Sequence, residues 1–113
     1  MVKAERLAGR REFEAVFTGG KSWANNLVAL RVLPNGSGSN RYGFAVGKRL
    51  GGAVVRNRVR RRLREVVRLT PMRSGWDMVF IARQTAAETD YHALRGATEE
   101  LLARAQLLGG GNG

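Results

Sequence analysis

The stretch from Ala53 to Leu69, Ala-Val-Val-Arg-Asn-Arg-Val-Arg-Arg-Arg-Leu-Arg-Glu-Val-Val-Arg-Leu, leaves this chain few ways to fold. At helical periodicity Val55, Val59, Leu63, Val66 and Val67 form one apolar stripe, and Asn57, Arg61, Arg64 and Arg68 lie opposite. Arg58 and Arg62 flank the basic face on one edge, Arg56 and Arg60 on the other. Such a helix has to bury its stripe against a second layer, so the fold is layered. Thr70-Pro71 ends it, because the residue before a proline is pushed out of helical geometry. A helix that only faces water interleaves acids with bases to gain i,i+4 pairs. This one has Glu65 alone among its arginines. Like charges therefore oppose one another along the helix, at a cost in stability that a polyanion would relieve.

The surplus is local. Of a net charge of +11, nine units sit between Arg41 and Arg68, where ten basic residues face the single Glu65. Nine of those ten are arginine, which contacts phosphate in bidentate fashion and stacks on bases. A basic membrane-surface helix is the competing reading, but its apolar face would carry Trp, Phe or Leu, and here it is mostly Val. The 113 residues, 43% hydrophobic, suit one domain with one core, expected over 1–108, with a disordered glycine-rich tail at 109–113. Absence of Cys excludes thiol catalysis, disulfides and zinc fingers, and a single His excludes a His–His pair. No apolar run is long enough to span a bilayer and no signal-type segment follows the N-terminus. The expectation is a cytoplasmic, nucleic-acid-binding domain with no membrane contact and no obligate protein partner.

The other elements follow from periodicity. Residues 10–18 place Phe13, Val16 and Phe17 on one stripe of a short helix that Gly19-Gly20 stops. Leu27 to Leu33 reads as a strand ended by Pro34, and Asn35 to Asn40 as a loop. Arg41 to Gly47 alternates, with Tyr42, Phe44 and Val46 on one face and the small Gly43, Ala45 and Gly47 on the other. The short loop predicts an antiparallel hairpin of these two strands. Trp76 to Arg83 is a continuous apolar run, as in a buried strand. Thr89 or Asp90 caps a last helix carrying Leu94, Leu101, Ala105 and Leu108. The order α-β-β-α-β-α predicts an α/β two-layer sandwich: a sheet of three or four strands with helices on one side.

Phe13 and Phe17 admit two readings, core packing or a stacking platform beside the trough left by Gly43, Ala45 and Gly47. His92 has no catalytic partner in view, and Asp77, Glu88 and Asp90 sit where capping carboxylates are common. No hydrolase triad, Walker loop or zinc spacing is present. The glycines around Lys48-Arg49-Leu50-Gly51-Gly52 lead into a helix N-terminus, an anion-binding geometry.

Residues 42–68 resemble the protein component of bacterial ribonuclease P. The match runs Gly43-Phe44-Ala45-Val46-Gly47-Lys48-Arg49-Leu50-Gly51, then Ala53-Val54-Val55-Arg56-Asn57-Arg58-Val59-Arg60-Arg61, then Leu63-Arg64-Glu65. Upstream, Arg11 to Phe17 followed by Gly20 is similar to the family's first helix, and Asp77 to Arg83 to its third strand. The resemblance implies a mixed central sheet and a left-handed β-α-β crossover into the arginine helix, against the usual right-handed rule. It implies a subunit that binds the catalytic RNA and the 5′ leader of precursor tRNA. That RNA would supply the catalysis and hold most of the Mg2+, so no catalytic or metal-binding side chain is expected here. The RNA-binding residues implied are Lys48, Arg49, Arg56, Asn57, Arg58, Arg60, Arg61, Arg64 and Arg68. The leader cleft implied comprises Phe13, Phe17, Arg31, Gly43, Ala45 and Arg83. Arg31 stands where some members carry an aromatic, and Gln84 where a Lys is frequent. The rival readings are a ribosomal-type RNA scaffold, a stand-alone nuclease and a DNA-binding regulator.

Overall fold

In the computed structural model, which describes residues 5–7 and 9–109, five strands and three α-helices form. The strands are β1 (Glu5–Arg6), β2 (Lys21–Ala24), β3 (Val28–Pro34), β4 (Arg41–Ala45) and β5 (Trp76–Ala82). The helices are α1 (Arg10–Gly19), α2 (Ala53–Leu69) and α3 (Tyr91–Arg104), with 3₁₀ turns at Lys48–Leu50 and Gln84–Glu88. Val59, Leu63, Val66 and Val67 of the α2 stripe are buried, and Val55 is half-buried at its open end. Asp90 caps α3 by accepting from the Ala93 N–H at 2.8 Å, and Leu94, Thr98, Leu101 and Leu102 are its buried face. Of the expected glycine tail, residues 110–113 lie outside the described residues.

One sheet holds all five strands in the order β1-β4-β5-β3-β2. β5 runs parallel to β4 and antiparallel to β3, so α2 is the connection of a β-α-β unit. The α+β class and the mixed sheet agree with the expectation, but the hairpin does not form. β5 inserts between β3 and β4. Met78, Val79 and Phe80 are all fully buried, so this strand needs cover on both faces and a neighbour on both edges, which only the centre offers. β2 is a second departure from the expected order. Its Lys-Ser-Trp-Ala sequence is mostly exposed and carries no apolar alternation, as suits an edge strand.

The helices do not share one side of the sheet. α2 and α3 cover the face carrying Leu30, Val32, Tyr42, Met78 and Phe80, where Phe44 stacks on Phe80 with ring centroids 5.7 Å apart. α1 covers the opposite face, packing Val16 and Phe13 on Val79, Leu33, Ala45 and Ile81. Alternation in β5 makes both faces apolar, so a second layer is required. Two glycines permit the approach of α1. A Cβ on Gly43 would lie 2.4 Å from Cζ of Phe13, and one on Gly20 would lie 2.5 and 2.6 Å from the carbonyl oxygens of Val16 and Val32.

Candidate nucleic-acid interface

The arginines of α2 divide by what their guanidinium groups touch. Arg58 Nη2 donates to the Ala87 carbonyl at 3.1 Å, and Arg62 Nη1 to the Thr89 carbonyl at 2.7 Å. These two tie α2 to the segment that leads into α3. Arg60 Nη1 donates to Asn57 Oδ1 at 2.9 Å, and Arg68 pairs with Glu65. Arg56 is half-buried with its Nε enclosed and unpartnered. Lys48, Arg49, Arg61 and Arg64 are exposed and make no hydrogen bond or ion pair with any described residue. The nine positions implied by the resemblance are therefore not equivalent: Arg58 is a structural tether, Arg68 is compensated, and four cations remain open. Arg62, outside the implied set, turns out to be a tether as well; like Arg58, it lies on the edge of the basic face, whereas Arg61 lies at its centre.

Gly52 caps α2 with no side chain, and the first turn carries no acid. The N–H groups there stand open beside Lys48 and Arg49, an arrangement that favours phosphate.

On the α1 face the trough is displaced by one row from its expected place. Strand register aligns Gly43 with Val79 and Arg31, and the next row is Ala45, Ile81 and Ala29. Phe13 fills the space over Gly43. Phe17, 39% exposed, sits over β3, where the Arg31 guanidinium lies 5.4 Å from its ring centroid and Nη2 donates to its carbonyl at 2.5 Å. Arg31 thus supports the aromatic at position 17. The row of Ala45, Ile81 and Ala29 remains half-buried and open, with the exposed Arg83 just beyond the end of β5. Phe13 is packing, and Phe17 keeps a free ring edge. β4 runs from this row through Gly47 directly to Lys48 and Arg49, so the trough adjoins the open end of α2. Around the β1–β4 edge a hollow of about 250 Å³ brings Arg6, Phe13, Arg60 and Arg64 together. Sequence reasoning missed Arg6, because a two-residue strand leaves no periodic signal.

Asp77 is not a capping residue. It is buried, and Arg41 grips it with Nε–Oδ1 2.8 Å and Nη2–Oδ2 2.6 Å while reaching Glu12 of α1 at 2.5 Å. Burial pushes the Asp77 carboxyl up, but the hydrogen bonds from Arg41 and Asn35 outweigh it and hold the group below its usual range. His92 is exposed, with its ring against Tyr91. Among the described residues no three His, Cys, Asp or Glu side chains gather into a metal site. None of the described helices is long and apolar enough to cross a membrane.

An arginine helix with one open face, an uncapped N-terminus and an adjoining aromatic trough define a small α+β RNA-binding protein. Comparison with known proteins narrows the class. The family model for ribonuclease P matches residues 1–106. A ribonuclease P protein component of Symbiobacterium thermophilum is 48% identical over 111 residues, 96% of each chain. That of Caldanaerobacter subterraneus is 42% identical over 107 residues, 93% of this chain and 92% of the other. Among solved structures, the RNase P protein of Staphylococcus aureus superposes with a TM-score of 0.85 at 29% identity, covering 95% of this chain and all of that one. The Thermotoga maritima protein gives 0.79 at 32% identity, covering 88% and 96%. The chain belongs to the ribonuclease P protein family and is a subunit of that ribonucleoprotein, whose RNA is its partner.

Proposed function

We propose that this subunit holds the catalytic RNA on the open face of α2 and the single-stranded 5′ leader of precursor tRNA in the trough beside α1. The observation that carries the reading is adjacency. The chain leads from the shallow row at Ala45 through Gly47 to the uncompensated Lys48 and Arg49 at the open end of α2, Arg64 shares the edge hollow with Phe13, and Phe17 puts an exposed ring on the rim of the row. Phosphates take the cations. Leader bases lie on Ala45, Ile81 and Ala29, with Phe17 as the stacking edge and Arg83 at the exit. Arg56, Asn57 and Arg60 flank the RNA face, Phe13 and Gly43 form the packed wall of the trough, and Arg31 steadies Phe17. The reaction is hydrolysis of one phosphodiester, which frees the mature 5′ end in the cytoplasm. Its magnesium ions are held mainly by the RNA, and the protein's part is to bind and orient.

Reconstitution with catalytic RNA and precursor tRNA at low magnesium tests this. Addition of the protein should accelerate cleavage and tighten precursor over mature tRNA. RNA binding without any effect on cleavage would instead support a scaffold, and cleavage without the RNA subunit a nuclease.

A further inference from the structure

A second groove, which shares no lining residue with α1's trough, opens on the α2/α3 face of the sheet beyond the C-terminal end of α3 and reaches Gly19 at the end of α1. It measures about 730 Å³. Its floor is β3, where Val32 lies opposite Lys21 of β2 and Pro34 opposite Trp76 of β5. Trp23 and Trp76 stand on its two flanks, both half-buried, and Lys21, Arg73 and Arg104 are its charged residues. Among the described residues no Asp or Glu lines it. Arg104 is held in place by donating to the Ala24 carbonyl at 3.1 Å, and Lys21 and Arg73 are exposed. Trp23 pairs with Leu30 and Trp76 with Pro34, four residues apart along β3 and on opposite sides of it. Strand geometry puts them about 16 Å apart, too far to sandwich one ring between them. Each indole can serve a separate base of one strand.

We propose that this groove binds a short unpaired segment of RNA, its bases on Trp23 and Trp76 and its phosphates on Lys21, Arg73 and Arg104. Two separated aromatic faces among cations of one sign are what sequence-tolerant single-strand sites use. A protein partner of apolar character would leave the three cations without counter-charges, and a compact anion would leave the indoles unused. The proposal is independent of the leader reading, because the groove contains neither Phe17 nor Ala45.

The chain has two tryptophans and both line this groove, so fluorescence excited selectively at tryptophan, away from the tyrosines, reports on this site. Titration of the full chain with an unstructured adenosine pentanucleotide should quench that fluorescence saturably. Lys21→Gln/Arg73→Gln keeps both indoles and, with unchanged thermal unfolding, should weaken the quenching about tenfold or more. Phe17→Ala should leave it intact, which separates this site from the leader trough. Absence of quenching, or quenching indifferent to the double substitution, would overturn the proposal. Equal quenching by inorganic polyphosphate would reduce the groove to an anion patch. A signal that depends on protein concentration alone would make it a contact between copies, which also overturns it.

Discussion

Replacing Arg61 and Arg64 by alanine should separate RNA affinity from stability. Both side chains are exposed and make no hydrogen bond or ion pair with a described residue, so their loss removes charge and no polar internal contact. Each phosphate contact contributes about −0.7 to −0.9 to the slope of log affinity against log salt. Two lost contacts should flatten that slope by about 1.4 to 1.8. If parent and variant bind alike near 1 M salt, the variant is weaker by roughly 25- to 60-fold at 0.1 M. Filter binding of the catalytic RNA across a salt series measures this directly, and circular dichroism with thermal unfolding checks the fold. The matched control is Arg62→Ala. Its guanidinium holds the Thr89 carbonyl, so that variant should lose about 1–2 kcal/mol of stability and change the slope little. Equal slopes for the Arg61/Arg64 variant and the parent, or a slope change for Arg62→Ala as large as for the pair, would refute the division of α2 into open and tethering arginines.

Phe17→Ala should weaken precursor tRNA by about 5- to 150-fold per base unstacked while mature tRNA binds as before. Phe13→Ala should instead lower stability by about 2–3 kcal/mol and depress both affinities together, in thermal unfolding and paired binding assays. Arg41→Gln strands a buried carboxylate and should cost about 2–3 kcal/mol at neutral pH by urea unfolding. Because the Asp77 pKa is lowered on folding, the stability it contributes is present above its ordinary value of 3.8 and fades as pH falls below it, so parent and Arg41→Gln should converge in acid. Gly20→Ala should destabilise by about 1–3 kcal/mol, since two backbone oxygens block the new methyl group, a loss calorimetry would register.

Much of this was legible in the sequence, and the limits are physical. α2 announces itself because its stripe repeats at helical spacing over seventeen residues, and Asp90 because capping is local. The pairing of β5 between β3 and β4 is decided by contacts more than thirty residues apart, which no local pattern encodes. The double-sided burial of Met78, Val79 and Phe80 is visible as an apolar run, but the run alone does not say which helix covers which face. The site divides the same way. The arginine face could be read from composition, but which guanidinium groups are spent on Ala87 and Thr89 depends on where the 3₁₀ turn docks. Gly43 reads in the sequence as part of an open trough, whereas in the structure the Phe13 ring rests on it.

The seven arginines of α2 with Glu65 as their one acid make the free subunit a molecule under internal repulsion. Binding to RNA discharges that repulsion, so the nucleic acid acts as a folding ligand. At a free RNA concentration 100 times Kd, the linkage adds about 2.7 kcal/mol to the folded state. Subunits made in excess of RNA lack this support and unfold more often, which exposes them to proteolysis. A helix shaped to grip phosphate thereby also ties the stability of the folded protein to the supply of its RNA.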